Sequence, residues 1–359
     1  MGSDMKKYNP ARQLSGVKEI ARRANVSIAT VDRVIHNRKG VSEATREKIN
    51  AIIEEIGFQP NILASRLASK KTNRFAVIIP SSKETDYWES PRKGIERAGE
   101  EIKQYGVFIE KYFYDLNERT SFSDIAKEVL SLGFDGVVMA PLFIEESIAF
   151  VKTCRQKNIP CVFINSDIPE QDSLSYFGPH LFQSGYQAGQ LISYGLREGK
   201  ILIVNISKET DSYYYLLRKE EGFRAYFNEQ GKTMKKLIKV DIHDTDRKSI
   251  ASEMKKTFIA HPDVKAVFVT NSRVLSVAYW FEKSKIQDTI LVGYDYLPEN
   301  IAYLKRGVID FLICQKPEEQ GYLGMMSLFQ HVVSGTALKK ENFMPIDIIT
   351  KENYMFYKN

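Results

Sequence analysis

The sequence predicts a small all-α head followed by a two-lobed α/β domain, and three features carry that expectation. Between Val17 and Phe58, apolar residues recur at helical spacing in three short units. Beyond Phe75, apolar runs alternate with amphipathic stretches, as expected of parallel strands buried on both faces and separated by helices. Charge is divided unevenly: residues 1–74 hold 15 Lys and Arg against 7 Asp and Glu, a net +8, which leaves −2 of the total +6 for the remainder. At 359 residues the chain also exceeds the usual size of one core.

In the head, Val17, Ile20, Ala21 and Ala24 form the first apolar stripe, Val31, Val34 and Ile35 the second, and Ile49, Ile52, Ile53 and Ile56 the third. Ser15 or Gly16, then Ser27, then Ser42 stand where helix caps belong, and Gly57 stops the last helix. A tight turn at Asn25-Val26 joins a helix over 17–24 to one over 27–36. That is the spacing of a helix-turn-helix, which lays its second helix in the major groove of DNA. Pro60 breaks the chain, Asn61 to Ser69 suits a brief helix, and the polar run Lys70 to Arg74 reads as a linker. The expected segments are a tail over 1–14, a head over 15–59, a hinge over 60–74 and a large domain over 75–359.

In the large domain, nine strands are expected: Phe75–Pro80, Val107–Tyr112, Gly136–Ala140, Cys161–Ile164, Ile201–Val204, Leu237–Val240, Ala266–Val269, Ile290–Val292 and Phe311–Ile313. The polar stretch from Ser166 to Pro179 interrupts them after the fourth, so two sheets and an intervening cleft are predicted. The lobes are placed at about 75–176 with 316–336, and about 177–314 with 340–359. Ligands of open α/β sheets sit at the carboxyl ends of strands. There the sequence offers Asp86, Tyr87 and Trp88, then Asn165 and Asp167, Arg218 before Gly222-Phe223, Asn271, Asp295 and Gln315. Such a set suits a polyhydroxylated ligand, with an aromatic ring against its C–H face and amides and charges on its hydroxyl rim. The run Tyr213-Tyr214-Tyr215 opens a helix and is expected at the lobe surface or cleft rim.

The head resembles that of the LacI/GalR regulators. Four blocks carry the resemblance: Val17 to Ala21, Asn25 to Val34, Val41 to Ile49, and Gly57 to Asn61 continuing through Leu67-Ala68. It implies that Ile28, Ala29 and Arg33 face base edges, Arg33 being able to bridge guanine O6 and N7 and the two apolar residues a thymine methyl. Ser27 and Thr30 suit phosphate oxygens, and the DNA-facing set extends to Asp32 and His36. Asn25 stands where the family often has Gly and tolerates the left-handed turn. Asp32 replaces a common Ser, tolerable if it pairs with Arg33 or accepts from cytosine. Leu67 matches the family's minor-groove wedge, with Asn61 and Ala64 beside it.

From Phe75 to about Thr350 the chain resembles the type I periplasmic-binding-protein fold that these regulators share with sugar-binding transport receptors. Asp295, Asn271 and Gln315 match sugar-contacting positions of the ribose-type receptors. Three departures concern the ligand: Lys219 stands where the family's cleft arginine is usual, Asn165 replaces an Asp, and Ser272 follows Asn271 where Asp is usual. The resemblance implies a cytoplasmic repressor with no cofactor, acting as a homodimer on a roughly palindromic double-stranded DNA operator under control of a carbohydrate effector. A purine-like effector is the alternative, and a transport receptor without regulatory role lacks such a head.

Other classes are disfavoured. No apolar run approaches the roughly 18 residues that span a bilayer, and Met1 to Leu14 lacks the apolar core of a secretory signal. Cys154, Cys161 and Cys314 show no metal-ligand spacing and read as packing residues. His36, His180, His243, His261 and His331 form no local catalytic or metal motif, and no phosphate-binding glycine loop or nucleophile elbow is present.

Overall fold

A computed structural model describes residues 16–35, 38–58, 71–83, 85–168, 173–208, 214–229, 231 and 237–359. Ser15, His36, Asn61, Ala64, Leu67 and Tyr213 lie outside the described residues. The chain divides into two compact units at Lys71/Thr72.

In the head, α1 (Gly16–Ala24), α2 (Ile28–Ile35) and α3 (Glu43–Ile56) close around Ile20, Ala21, Ala24, Val31, Val34 and Ile49. Ser27, Ser42 and Gly57 cap where the sequence places them, whereas of the two candidates for the first helix Gly16 is its first residue and Ser15 is outside the described residues. Ser27 Oγ accepts from Thr30 N at 3.1 Å and Ser42 Oγ from Thr45 N at 3.4 Å, while Gly57 ends α3 at φ 60. Asn25 takes φ 57 in the turn, so the amide side chain serves where glycine would be expected. Arg23 bonds Glu19 on its own helix and Glu55 on α3, each at 2.9 Å.

In the large domain all nine expected strands form, within two six-stranded sheets. The first contains β1 (Asn73–Pro80), β2 (Val107–Tyr114), β3 (Gly136–Met139), β4 (Cys161–Ile164), β5 (Ser175–Gly178) and β11 (Glu341–Phe343), in the order β11-β5-β4-β3-β1-β2. The second contains β6 (Lys200–Ile206), β7 (Leu237–Ile242), β8 (Val264–Val269), β9 (Ile290–Tyr294), β10 (Phe311–Cys314) and β12 (Asp347–Ile349), in the order β12-β10-β9-β8-β6-β7. Pairing is parallel except between β10 and β12.

Two details differ from expectation. Ser166–Pro179 is not wholly irregular: Ser175–Gly178 is a strand between β4 and β11, because Tyr176 and Phe177 are buried and the Tyr176 hydroxyl donates to Pro179 O at 2.8 Å. Residues 340–359 do not all join the second lobe, since Glu341–Phe343 pairs with β5. The sheets are therefore joined by three short crossings, at 178–181, 314–317 and 343–347.

Each lobe carries a helix pair in backbone contact. A Cβ on Gly94 of the helix Glu89–Ile102 would lie 1.9 Å from Glu318 O, and one on Gly321 of the helix Pro317–Ser334 would lie 2.2 Å from Pro91 O. In the second lobe, Gly185 of the helix Leu181–Gly195 and Gly222 of the helix Tyr214–Glu229 play the same part, with 1.8 Å to Lys219 O and 1.9 Å to Phe182 O. Phe223, next to Gly222, stacks on Phe268 with centroids 4.5 Å apart, a full burial that stabilises by about 1.5–3 kcal/mol. All three cysteines are buried and unpaired. No helix among the described residues is long and apolar enough to cross a membrane.

Candidate functional site

On the head, α2 buries Val31 and Val34 and turns the opposite face outward. Ile28, half exposed at 50%, lies there with exposed Ala29 and Arg33. An exposed isoleucine beside an exposed arginine is a poor core element and a good groove-facing pair. Ser27 and Thr30 bond each other through their hydroxyls at 2.9 Å and cap the helix, leaving lone pairs and the helix N-terminus outward. Asp32 pairs with Arg38 Nη1 at 3.1 Å, a partner beside the two expected for it, Arg33 or a cytosine amine. Arg33 is one residue away along the helix, whereas Arg38 returns from the following turn.

Between the lobes, strand ends from both sheets converge on a cleft of about 670 Å³ including its open mouth. The first lobe presents Thr85, Tyr87, Trp88, Asn117 and Asn165; the second presents Tyr215, Lys219, Asn271, Ser272, Arg273 and Asp295, and Gln315 comes from a crossing. The lobes are closed on each other. Leu216 and Leu297, both from the second lobe, are part of the first lobe's buried core, and Thr85 Oγ1 stands 3.4 Å from Ser272 Oγ.

Most of these side chains are held in place. Asn165 adopts φ 68 at the end of β4, donates from Nδ2 to the Tyr87 hydroxyl at 2.6 Å, and accepts at its carbonyl from the Tyr176 hydroxyl at 3.2 Å. Tyr87 meets Trp88 edge to face at 5.1 Å. Asn271 Nδ2 donates to Ile206 O at 2.8 Å and its Oδ1 accepts from Arg273 N at 3.1 Å, so this amide braces the end of β8. Gln315 Nε2 donates to Ser184 Oγ at 3.0 Å. Asp295 takes φ 75 where the chain leaves β9, and Asn300 Nδ2 donates to its carbonyl at 3.1 Å.

Lys219 and Asp295 are the buried charges facing each other in this set. Lys219 Nζ lies 3.6 Å from the Tyr294 ring centroid and donates to Thr270 O at 3.3 Å. Burial lowers the ammonium's pKa and raises the carboxyl's, each shift opposed by the attraction of the other charge.

Three expected cleft residues stand elsewhere. Asp86 is exposed on its 3-10 turn, beside but not among the lining residues. Arg218 and Asp167 line a second, more open cavity on the flank with Tyr214, His180 and Phe343. There Arg218 pairs with Glu221 and lies 5.3 Å over the Phe182 ring, while burial raises the Asp167 carboxyl. Lys219 takes the cleft position in place of Arg218, for a helical reason: residues 215, 219 and 222 share one face, on which Lys219 and Gly222 are buried and Tyr215 is partly buried. Of the tyrosine run, Tyr215 is in the cleft and Tyr214 lines the flank cavity. Arg273 and Asn117 were not singled out from the sequence as cleft residues, and Tyr215 was expected only at the lobe surface or cleft rim. The signal for Tyr215 was its position one turn before Lys219.

Residues 75–336 match the family described as periplasmic binding protein domain, and residues 16–61 match the bacterial regulatory proteins, lacI family. The HTH-type transcriptional regulator DegA of Bacillus subtilis is 29% identical over 154 residues, 43% of this chain and 44% of its own. Catabolite control protein A of Staphylococcus epidermidis is 30% identical over 151 residues, 42% of this chain and 44% of its own. The chain thus spans less than half the length of these curated relatives. A solved structure described as a "putative LacI transcriptional regulator" from Bacteroides fragilis superposes with TM-score 0.75 at 29% identity, covering 80% of this chain and 100% of that one. GanP, a glucose-galactose binding protein from Geobacillus stearothermophilus, covers 79% of this chain and 99% of its own at TM-score 0.69; at 24% identity it shows the fold alone. The chain belongs to the periplasmic binding protein domain family over residues 75–336 and carries at its front the head of the lacI-family bacterial regulatory proteins over residues 16–61.

Proposed function

We propose that the protein is a sequence-specific DNA-binding transcription regulator, a repressor whose operator affinity is controlled by a sugar or sugar derivative bound between the lobes. The observation that carries this reading is the presence in one chain of a helix exposing Ile28, Ala29 and Arg33 and of a closed cleft lined by amides, hydroxyls, a carboxylate, an ammonium and aromatic rings. One three-helix head buries little surface on DNA, so specificity comes from a homodimer reading a roughly two-fold symmetric operator in the cytoplasm. Residues 60–74 act as the hinge, with Leu67 as a minor-groove wedge flanked by Asn61 and Ala64. The effector acts by differential affinity for two lobe arrangements, which bias whether the paired hinges fold on DNA.

The DNA half is tested at Arg33. In selection from random duplexes, Arg33→Ala is expected to relax preference at one base pair of each half-site, at about 1–3 kcal/mol per lost bidentate contact. An unchanged preference there removes Arg33 from base reading.

The effector half is tested by thermal unfolding against monosaccharides, uronates, polyols, purines and amino acids. A ligand at about 100 times its dissociation constant adds about 2.7 kcal/mol, a shift of several degrees. One sugar class is expected to produce it. A shift with purines or amino acids alone would reassign the effector and leave the DNA half standing.

A further inference from the structure

We propose that the segment Tyr354–Asn359 is a strap that holds the two lobes closed and so sets the balance between open and closed cleft. The segment follows β12 of the second sheet and is anchored first on that lobe. The Tyr296 hydroxyl donates to Tyr354 O at 3.0 Å, and the Tyr296 and Tyr357 rings pack 5.0 Å apart. It then grips a crossing between the lobes. Lys316 N donates to the Tyr357 hydroxyl at 3.3 Å, Lys316 Nζ donates to Lys358 O, and that ammonium lies 4.3 Å over the Tyr357 ring. Finally it reaches the first lobe, where Asn359 Nδ2 donates to Ser90 Oγ at 2.8 Å and Asn359 Oδ1 is shielded from solvent.

Both attachment points adjoin the cleft. Lys316 directly follows Gln315, and Ser90 stands two residues after Trp88; both Gln315 and Trp88 line the cleft. Lys316 takes φ 53 immediately before Pro317, so the crossing that the strap grips has little freedom to rearrange without moving Gln315. Contacts across the seam among the described residues include the apolar insertion of Leu216 and Leu297, the packing of Tyr215 on the same core and the long Thr85–Ser272 hydroxyl pair. The strap adds a polar tether to these, spanning both lobes and the crossing. Lobe closure in such folds is a hinge motion, and a tether made only in the closed arrangement shifts its equilibrium. Phe356, 77% exposed between the anchoring tyrosines, takes no part in the grip and supplies a control.

The test needs no knowledge of the effector. Nitroxide labels are placed at Glu118→Cys and Asp244→Cys, exposed positions just past β2 and β7, one on each lobe. The labelled full chain is diluted with unlabelled chain so that only distances within one molecule are read by double electron–electron resonance. The protein with an intact strap is expected to give one short distance. Tyr357→Ala combined with Asn359→Ala is expected to add a population several ångström longer, while Phe356→Ala leaves the distribution unchanged. Ser90→Ala, which removes one hydroxyl from the far side, guards against a folding defect and is expected to produce a smaller share of the same longer population. Strap variants that fold and match the intact protein overturn the proposal, as does an intact protein that already shows the long distance as its main population.

Discussion

Gly222→Ala is expected to lower the unfolding temperature by several degrees and to abolish the response to effector. A methyl at this position would lie 1.9 Å from Phe182 O and 3.0 Å from Tyr186 N, both backbone atoms of the facing helix. Backbone cannot rotate aside as a side chain can, so the helices Leu181–Gly195 and Tyr214–Glu229 must separate. Such overpacking costs about 1–3 kcal/mol or more, and it outweighs the roughly 1 kcal/mol that Ala gains over Gly in a helix. The displaced helix also carries Tyr215 and Lys219 on its cleft face, so the same movement misplaces two lining residues. Gly99→Ala is the matched control. Its added methyl meets only the end of the Ile109 side chain, at 3.0 Å, so the helix-propensity gain is expected to leave stability unchanged or higher. Thermal unfolding of the two variants side by side decides the matter: if Gly222→Ala melts with Gly99→Ala, the close approach of the helices is not what fixes this wall of the cleft.

How much of this arrangement is legible in the sequence depends on what each residue signals locally. Most of the nine strands are legible as runs of apolar residues buried on both sides of a sheet, a pattern that burial itself imposes; the edge strands β2 and β7 are largely half-buried or exposed and interleave polar residues, so there only the apolar positions give the strand away. Ser175–Gly178 escapes that logic: two aromatics amid polar residues form a strand only because β4 and β11 pair with it from either side. Strands β11 and β12, three residues each, carry too little pattern to be read. Asn25, Asn165 and Asp295 all adopt positive φ, and at Asn25 the residue type alone betrays the turn. For the cleft, the residues expected at strand ends that line one cavity are Tyr87, Trp88, Asn165, Asn271, Asp295 and Gln315. Asp86, Asp167 and Arg218 do not line it, and each is one or two residues from one that does. Along a helix one residue is about 100° of rotation, and along a strand it is the opposite face, so an error of that size moves a side chain out of a site. The strap is invisible in sequence, because its hold depends on Ser90 and Lys316, far away along the chain.

Lys219→Met should destabilise the protein most near neutral pH and least in mild acid. In the intact protein the ammonium and the Asp295 carboxylate face each other in the cleft wall, both buried. Removing the ammonium leaves the buried carboxylate without its counter-charge wherever the carboxyl is ionised, which destabilises the fold. The sign of the pH dependence follows from Asp295. Burial raises its carboxyl in the folded state from 3.8 to about 7, with Lys219 opposing the rise, so the folded protein holds this proton more tightly than the unfolded chain does. The stability so contributed is complete below the ordinary carboxyl value and is lost as pH rises through the raised one. Without Lys219 the opposition disappears and the loss becomes larger. At pH 5 Asp295 is protonated with or without Lys219; the variant then has neither of these two buried charges and the intact protein a buried ammonium with no carboxylate facing it. The gap between them should therefore be wide in urea unfolding at pH 8 and narrow or closed at pH 5. Adding Asp295→Asn to Lys219→Met should recover most of the loss at pH 8, because the lone carboxylate is what makes the single variant unstable. An equal gap at both pH values, or no recovery in the double variant, would mean that Lys219 stabilises the wall by packing its methylenes against Tyr215 and Tyr294, with its charge contributing little.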